Sequence, residues 1–450
     1  MVIGVTRTET FGNRFLEPGS RSAELFQRAR GSLPGGNTRT TVFSPPHPYY
    51  LRAGEGCWLT DVEGQTRLDF LNNYTSLLHG HCHPAVVTAA QAQIARGSAF
   101  AGPSGAEVEL AELIVSRVPA IERIRFTNSG TEAVMMAVKA ARAFSGRPKI
   151  AKFEGCYHGT YDAAEVSVGP DPAAAGPSDE PIGVPESAGL APETLESTVV
   201  LPLNNRSAVE RLVEREADHL AAVLVDPVPA RAGLPEPEPG FLPFLRDLTS
   251  RHGILLIADE VISFRLGYGG ASQRFGFQPD LVTLAKIIGG GFPVGAVGGG
   301  ADVMSVFDPS AGKPRVPHGG TFNANPVTMA AGLATMRLWT EAEIVRLERL
   351  GDDLRTRANW TLEEAGLPFK LAGQGSLFHL VPVQAGRDYR SSLPDAATTA
   401  QRRELHLRLL GSGVIISQTG LGCLSTAMDA PEVNEFVEAL RASALAMRRS

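Results

Sequence analysis

Ile257-Ala258-Asp259-Glu260-Val261 and, further along, Leu284-Ala285-Lys286-Ile287-Ile288-Gly289-Gly290-Gly291 are the two stretches that decide the fold. Each is a short apolar run ending on a charge, an acid in the first and a lysine in the second. In an open α/β sheet, parallel strands bind small molecules beyond their carboxyl ends, so Asp259 and Lys286 are placed to meet at one ligand. A carboxylate after a strand also serves as a helix cap, and a lysine before glycines is also found solvated, so neither decides the matter alone. Together they suit pyridoxal phosphate (PLP). A lysine amine holds its aldehyde as a Schiff base, and a carboxylate keeps its pyridine nitrogen protonated so that the ring accepts carbanion electrons.

Outward from this pair, strands alternate with helices. A strand over 123–126 runs into Thr127-Asn128-Ser129-Gly130-Thr131-Glu132, and helical periodicity follows over 133–144. N–H groups and hydroxyls at such a helix start bind phosphate, making Ser129, Gly130 and Thr131 a candidate phosphate cup; a plain helix cap is the other reading of the same residues. The strand over 150–153 delivers Tyr157 on a glycine-flanked turn, where its ring can stack on a flat cofactor or simply pack. Further strands are expected at 221–225, which ends on Asp226, and at 254–257, 281–284 and 294–298, with a helix at 241–252. That alternation predicts a mostly parallel sheet covered on both faces.

The chain ends read differently. An amphipathic helix over 22–30 stops at Pro34-Gly35-Gly36-Asn37, leaving Arg39 on a loop, and 49–70 reads as short strands around the turn Asp61-Val62-Glu63-Gly64. Helices are expected at 83–96, 106–118 and 327–339. Residues 169–196, rich in Pro, Gly, Ala and Ser, read as a long mobile loop suited to closing over a site. Beyond 339, strands at 377–381, 414–417 and 423–427 with helices at 402–410 and 431–448 give an α+β unit. The resulting division is 1–70 as an N-terminal segment, 71–334 as a large cofactor-binding domain and 335–450 as a small domain.

The chain has 450 residues and a net charge of −6, and its basic residues are scattered, which argues against a nucleic-acid partner. Residues 1–16 lack a charged start followed by an apolar run, and no later segment is apolar for long enough to span a bilayer, so a cytoplasmic protein without membrane association is expected. Cys57, Cys82, Cys156 and Cys423 lie far apart and read as free, mostly buried thiols. His79-Gly80-His81-Cys82-His83 has no acidic or sulfur cluster beside it, and no metal site is expected there. A nicotinamide-dependent oxidoreductase would need G-x-G-x-x-G between an early strand and helix, and none is convincing.

Thr127-Asn128-Ser129-Gly130-Thr131-Glu132-Ala133, Tyr157-His158-Gly159, Asp259-Glu260-Val261, Lys286 with Gly289-Gly290-Gly291, and Gly320-Thr321-Phe322 occur in that order. As a set the chain resembles the class III, fold type I PLP-dependent aminotransferases over nearly its whole length. The resemblance implies a large PLP domain, a small domain from both chain ends, and a homodimer with sites at the subunit interface. It makes Lys286 the Schiff-base lysine and Asp259 the pyridinium partner. It gives Gly130 and Thr131 the phosphate, joined by Thr321 from the other subunit, and sets Tyr157 over the ring. A non-catalytic PLP-binding protein would carry the same motifs.

Within the family the chain is most similar to the glutamate-1-semialdehyde aminomutases and the β-amino-acid (β-phenylalanine) aminotransferases. That likeness implies a substrate-carboxylate ligand at Arg39, with Tyr74 as a wall of that pocket. Two stretches depart from the aminomutase pattern: Ile262-Ser263-Phe264-Arg265 is one residue shorter, and Ser417-Gln418-Thr419-Gly420 lacks the expected glutamate. The expected reaction is therefore transfer from a β-amino acid or related amine to a keto acid such as pyruvate or 2-oxoglutarate, with the aminomutase reaction as the alternative.

Overall fold

The computed structural model describes residues 12–449, so the leader reading of 1–16 lies, up to residue 11, outside the described residues. In chain order the strands are β1 (Leu51–Glu55), β2 (Trp58–Asp61), β3 (Thr66–Asp69), β4 (Arg123–Thr127), β5 (Lys149–Phe153), β6 (Thr198–Leu201) and β7 (Leu220–Val225). They continue as β8 (Leu255–Asp259), β9 (Leu281–Ala285), β10 (Gly295–Gly299), β11 (Phe369–Ala372), β12 (Leu377–Pro382), β13 (Val414–Ile415) and β14 (Leu421–Cys423). The last of these stops at Cys423, short of the strand expected over 423–427.

The central sheet has seven strands in the order β4-β10-β9-β8-β7-β5-β6. Pairing is parallel from β9 through β6, while β10 runs antiparallel to both β4 and β9. Strands β7 and β8 are buried at every position, which is why they read as continuous apolar runs. Alternation divides their side chains between two layers. Ala222, Leu224 and Ile257 pack under the helix Gly130–Ser145, and Val223, Val225, Leu256 and Ala258 face Phe241, Leu245 and Leu248 of the helix Phe241–Arg251. The first helix approaches closely because its buried stripe is largely alanine: Ala133, Ala137, Ala140 and Ala141. Gly295 in β10 answers a similar need, since a Cβ there would collide with the Ser129 carbonyl.

A four-stranded sheet joins the two chain ends, because β13 pairs in parallel with β3 beside β2 and β1. A three-stranded antiparallel sheet, β11-β12-β14, completes the C-terminal layer. The helix Pro326–Leu338 is continuous across residue 334 and is followed by the 24-residue helix Glu341–Glu364.

The segment 169–196 differs from the expected free lid. It contains the short helix Pro192–Glu196 and is tied down along its length. Tyr389 Oη donates to Pro170 O at 3.1 Å, and Ser167 N donates to Val184 O at 2.7 Å. Arg211 and Arg215 hold Glu180 at 2.7 and 2.6 Å. Arg390 does most. It grips buried Glu154 at the end of β5 through two parallel bonds of 2.9 and 2.8 Å and donates to Gly176 O at 2.8 Å. Composition showed a segment without periodic apolar residues, but not the distant arginines that hold it. Arg390→Ala would leave a buried carboxylate unpaired, a loss of roughly 3 kcal/mol. The expected result is a lower Tm with faster cleavage within 169–196 in limited proteolysis; wild-type values for both would show that Arg390 does not hold the segment.

Candidate active site

A pocket of about 370 Å³ opens at the carboxyl edge of the central sheet. Its lining includes Ser129, Gly130, Thr131, Tyr157, Asp226, Asp259 and Lys286, delivered by the ends of β4, β5, β7, β8 and β9. These residues come from positions spread over more than a hundred residues, and the topology alone gathers them.

Asp259 is buried, and three donors fix its carboxylate. Register sets one: Thr283 lies opposite Asp259 on β9, and its hydroxyl donates to Oδ1 at 3.0 Å. Val261 N donates to the same oxygen at 3.1 Å. His158 Nδ1 sits 2.6 Å from Oδ2, and since a carboxylate only accepts, this nitrogen carries the proton. Burial lowers the His158 pKa, opposed by its bond to Asp259. The ring's other nitrogen is buried with no hydrogen-bond partner among the described residues.

Lys286 follows β9 with φ of 51°, in the left-handed region that non-glycine residues seldom adopt. Such a conformation persists only where the surroundings over-determine it. Here it turns the side chain from the strand into the pocket. Burial lowers the pKa of its amine, and Asp259 and Asp226 pull it back up. Asp226 is the second acid. Burial and then the neighbouring Asp259 raise its pKa well above the carboxylate range, while Val228 N donates to Oδ1 at 2.9 Å.

Ser129 caps the helix Gly130–Ser145, accepting from Glu132 N at 3.2 Å, and Glu132 turns back to accept from Asn128 N at 2.5 Å. The helix start therefore points its N–H groups and positive dipole end at the pocket. Side-chain bulk is excluded there. A Cβ on Gly130 would lie 3.2 Å from Val261, and one on Gly159, whose φ is 91°, would collide with the Thr131 hydroxyl. Tyr157 lines the same pocket with 46% of its surface exposed.

The remaining expected residues lie outside the pocket wall. Thr321 is exposed and does not line it in this chain. Arg39 is exposed at the mouth, where Nη1 donates to Asn73 Oδ1 at 3.0 Å and the guanidinium lies 5.8 Å from the Tyr74 ring centre. Tyr74 in turn donates to Thr41 O at 2.8 Å. Asn72, Asn73, Tyr74 and Thr75 have φ of 47°, 48°, 55° and 72°, a single turn of left-handed backbone. Such geometry costs roughly 1–2 kcal/mol per L-residue, least for asparagine. Asp69 Oδ1 accepts from Leu71 N and Asn72 N at 2.9 and 3.0 Å, and Asn72 Nδ2 donates to Cys423 O at 3.0 Å, fixing the turn from both chain ends.

His158, Thr283, Asn73 and Ser76 are the site residues that the sequence reading misses. His158 had a signal, being next to Tyr157 in a quoted motif. The others depend on register and on a backbone turn that composition does not show.

The histidine-rich stretch is divided among separate partners. His79 bonds Thr426 and Thr335 O at 2.7 and 3.0 Å, and His81 Nε2 lies 2.8 Å from Asp69. Among the described residues no group of three His, Cys, Asp or Glu could hold a metal. Cys57, Cys156 and Cys423 are buried and Cys82 is exposed, all as free thiols. No helix of the described residues is long and apolar enough to cross a membrane.

An amine and a carboxylate at adjacent strand ends, a helix start shaped by glycine and an open aromatic face form a donor set that fits pyridoxal phosphate. Fold and site together define a PLP-dependent transferase of fold type I. The model of the aminotransferase class-III family matches residues 42–429, and the chain belongs to that family. It is therefore a PLP-dependent transaminase. The crystal structure of an omega-transaminase from Sphaerobacter thermophilus is 54% identical with a TM-score of 0.95, covering 98% of this chain and 100% of that one. A beta-phenylalanine aminotransferase from Variovorax paradoxus is 35% identical with a TM-score of 0.83, covering 94% and 93%. A glutamate-1-semialdehyde 2,1-aminomutase from Methanothermobacter thermautotrophicus is 41% identical over 424 residues, 93% of this chain and 97% of the relative.

Proposed function

We propose that this transaminase moves the amino group of a β-amino acid, or a related amine, to a keto acid such as pyruvate or 2-oxoglutarate. The observation that carries the reading is Arg39, an exposed guanidinium held at the pocket mouth through Asn73, away from the lysine at the strand end. A planar fork of donors suits a carboxylate, and this position suits one borne away from the reacting carbon. Likeness to the omega-transaminase and the beta-phenylalanine aminotransferase supports it.

When bound, pyridoxal phosphate supplies the ring that accepts the substrate carbanion's electrons. Lys286 would hold the cofactor through its amine and, with that amine free, would take the proton from the substrate carbon as base and deliver it to the cofactor as acid. Burial favours the neutral amine that this base role needs. Asp259, steadied by His158 and Thr283, would pair with the pyridine nitrogen. Ser129, Gly130 and Thr131 would hold the phosphate, Tyr157 would cover the ring, and Thr321 would serve the phosphate of a second copy in a homodimer. Residues 71–334 form the cofactor-holding unit, with 1–70 and 335–450 supplying the smaller one, in a cytoplasmic enzyme.

The second reading, intramolecular transfer in glutamate 1-semialdehyde, is favoured by the aminomutase relative. The shortened stretch 262–265 and the glutamate missing after Gln418 count against it. A steady-state panel of β-phenylalanine, β-alanine, 1-phenylethylamine and glutamate 1-semialdehyde, each with and without a keto acid, separates the two. β-Amino acids should turn over only with an acceptor. Turnover of the semialdehyde without one, and of no β-amino acid with one, would replace the first reading by the second. Arg39→Lys keeps the charge and loses the fork, so KM for β-phenylalanine should rise about tenfold with little change for 1-phenylethylamine. Equal effects on both would give Arg39 to the fold.

A further inference from the structure

We infer that Asn73, on the left-handed turn Asn72–Thr75, is the residue that positions Arg39 and so sets which carboxylate-bearing amines the pocket accepts. The inference rests on Arg39 being the carboxylate ligand. Of the pair, Asn73 lines the pocket and Arg39 does not, so the guanidinium is tied to the pocket wall through the Asn73 amide.

The amide is itself oriented. A guanidinium has only donors, so the atom facing Arg39 Nη1 at 3.0 Å is the amide oxygen. Its nitrogen then points the other way and donates to Ser76 Oγ at 3.1 Å, while that hydroxyl donates to Asn73 O at 3.0 Å. Ser76 also lines the pocket. A chain of three polar groups thus runs from the pocket wall to the guanidinium.

The backbone supplies the rest of the geometry. In a right-handed turn, Asn73 and Tyr74 would project differently. The left-handed turn brings Asn73 to Arg39 while the Tyr74 ring lies 5.8 Å from the same guanidinium. Thr41 fixes the ring's hydroxyl, and Arg265, a buried cation, donates to the carbonyl of Thr75 at the end of the turn at 3.3 Å. Only one of Arg39's five N–H groups is used by Asn73. The others remain for a carboxylate, and a neutral amide orients the fork without cancelling its charge.

Asn73→Gly and Asn73→Asp both tolerate positive φ, so the turn survives each. Glycine removes the tether, and aspartate replaces a neutral acceptor by an anion that competes with the substrate carboxylate. With pyruvate as acceptor, KM for β-phenylalanine should rise about fivefold to tenfold in the glycine variant and further in the aspartate variant. The kcat and the kinetics of 1-phenylethylamine, which has no carboxylate, should stay within about twofold. Equal losses on both amines, or no change on either while Arg39→Lys raises the β-phenylalanine KM, would overturn the positioning role. If Arg39→Lys also leaves that KM unchanged, or β-phenylalanine is not turned over, the carboxylate reading falls and takes this inference with it.

Discussion

Lys286→Ala is expected to remove nearly all turnover while the protein remains folded. General acid–base help by a positioned side chain is worth roughly a hundred- to ten-thousandfold, and in the proposed mechanism Lys286 carries the tether to the cofactor as well. The geometry around it is specialised for that work: the residue sits at the end of a buried strand with φ of 51°, in a pocket that Asp259 and Asp226 also line. No other lysine lines the pocket. The check is turnover of the best donor in the panel, together with the visible absorbance of the purified variant and its thermal unfolding curve. Near-wild-type turnover in a protein that melts normally would refute the assignment. Lost turnover with lost folding calls for Lys286→Gln, which retains a long polar side chain and should be equally inactive.

Much of this site is legible in the chain because its parts are local. Asp259 and Lys286 each end an apolar run, and the runs are strands buried on both faces, so the residue that breaks the run marks the strand's carboxyl end. The candidate phosphate cup is also local, since a capping serine and a first-turn glutamate announce a helix start. What stays hidden depends on partners far away in sequence. Strand β10, Gly-Ala-Val-Gly-Gly, carries no mark of running antiparallel to its neighbours. The helix Glu341–Glu364 escapes a local reading because its buried stripe is narrow among charges and includes Gly351, where a Cβ would collide with the Gly375 carbonyl. The turn Asn72–Thr75 is the clearest case. Two asparagines permit positive φ, but Asp69, Cys423 and Arg265 impose it, and two of those three lie about two hundred residues or more away.

Asp259→Asn tests the other half of the pair and should lower kcat on the order of a hundredfold, the scale of losing one preorganised electrostatic contact. The substitution preserves shape, but it changes two things at once that the surroundings detect. The negative charge proposed to pair with the pyridine nitrogen disappears. In addition, the three donors that converge on the carboxylate no longer have two accepting oxygens. With the amide oxygen toward Thr283 and Val261, the NH₂ meets the protonated Nδ1 of His158; flipped, it meets the hydroxyl and the N–H instead. His158 could relieve the first arrangement by moving its proton to Nε2, the nitrogen that is buried without a partner. His158→Gln together with Asp259→Asn should therefore cost little beyond Asp259→Asn alone, because the histidine acts through the charge that is already gone. The cofactor's absorbance against pH gives a reading independent of rate, since removing the carboxylate shifts the protonation of the bound ring. Unchanged kcat and unchanged absorbance in Asp259→Asn would transfer the pyridine contact to another acid. Among the described residues Asp226 is the one other carboxylate lining the pocket, so Asp226→Asn would then show the loss that Asp259→Asn did not.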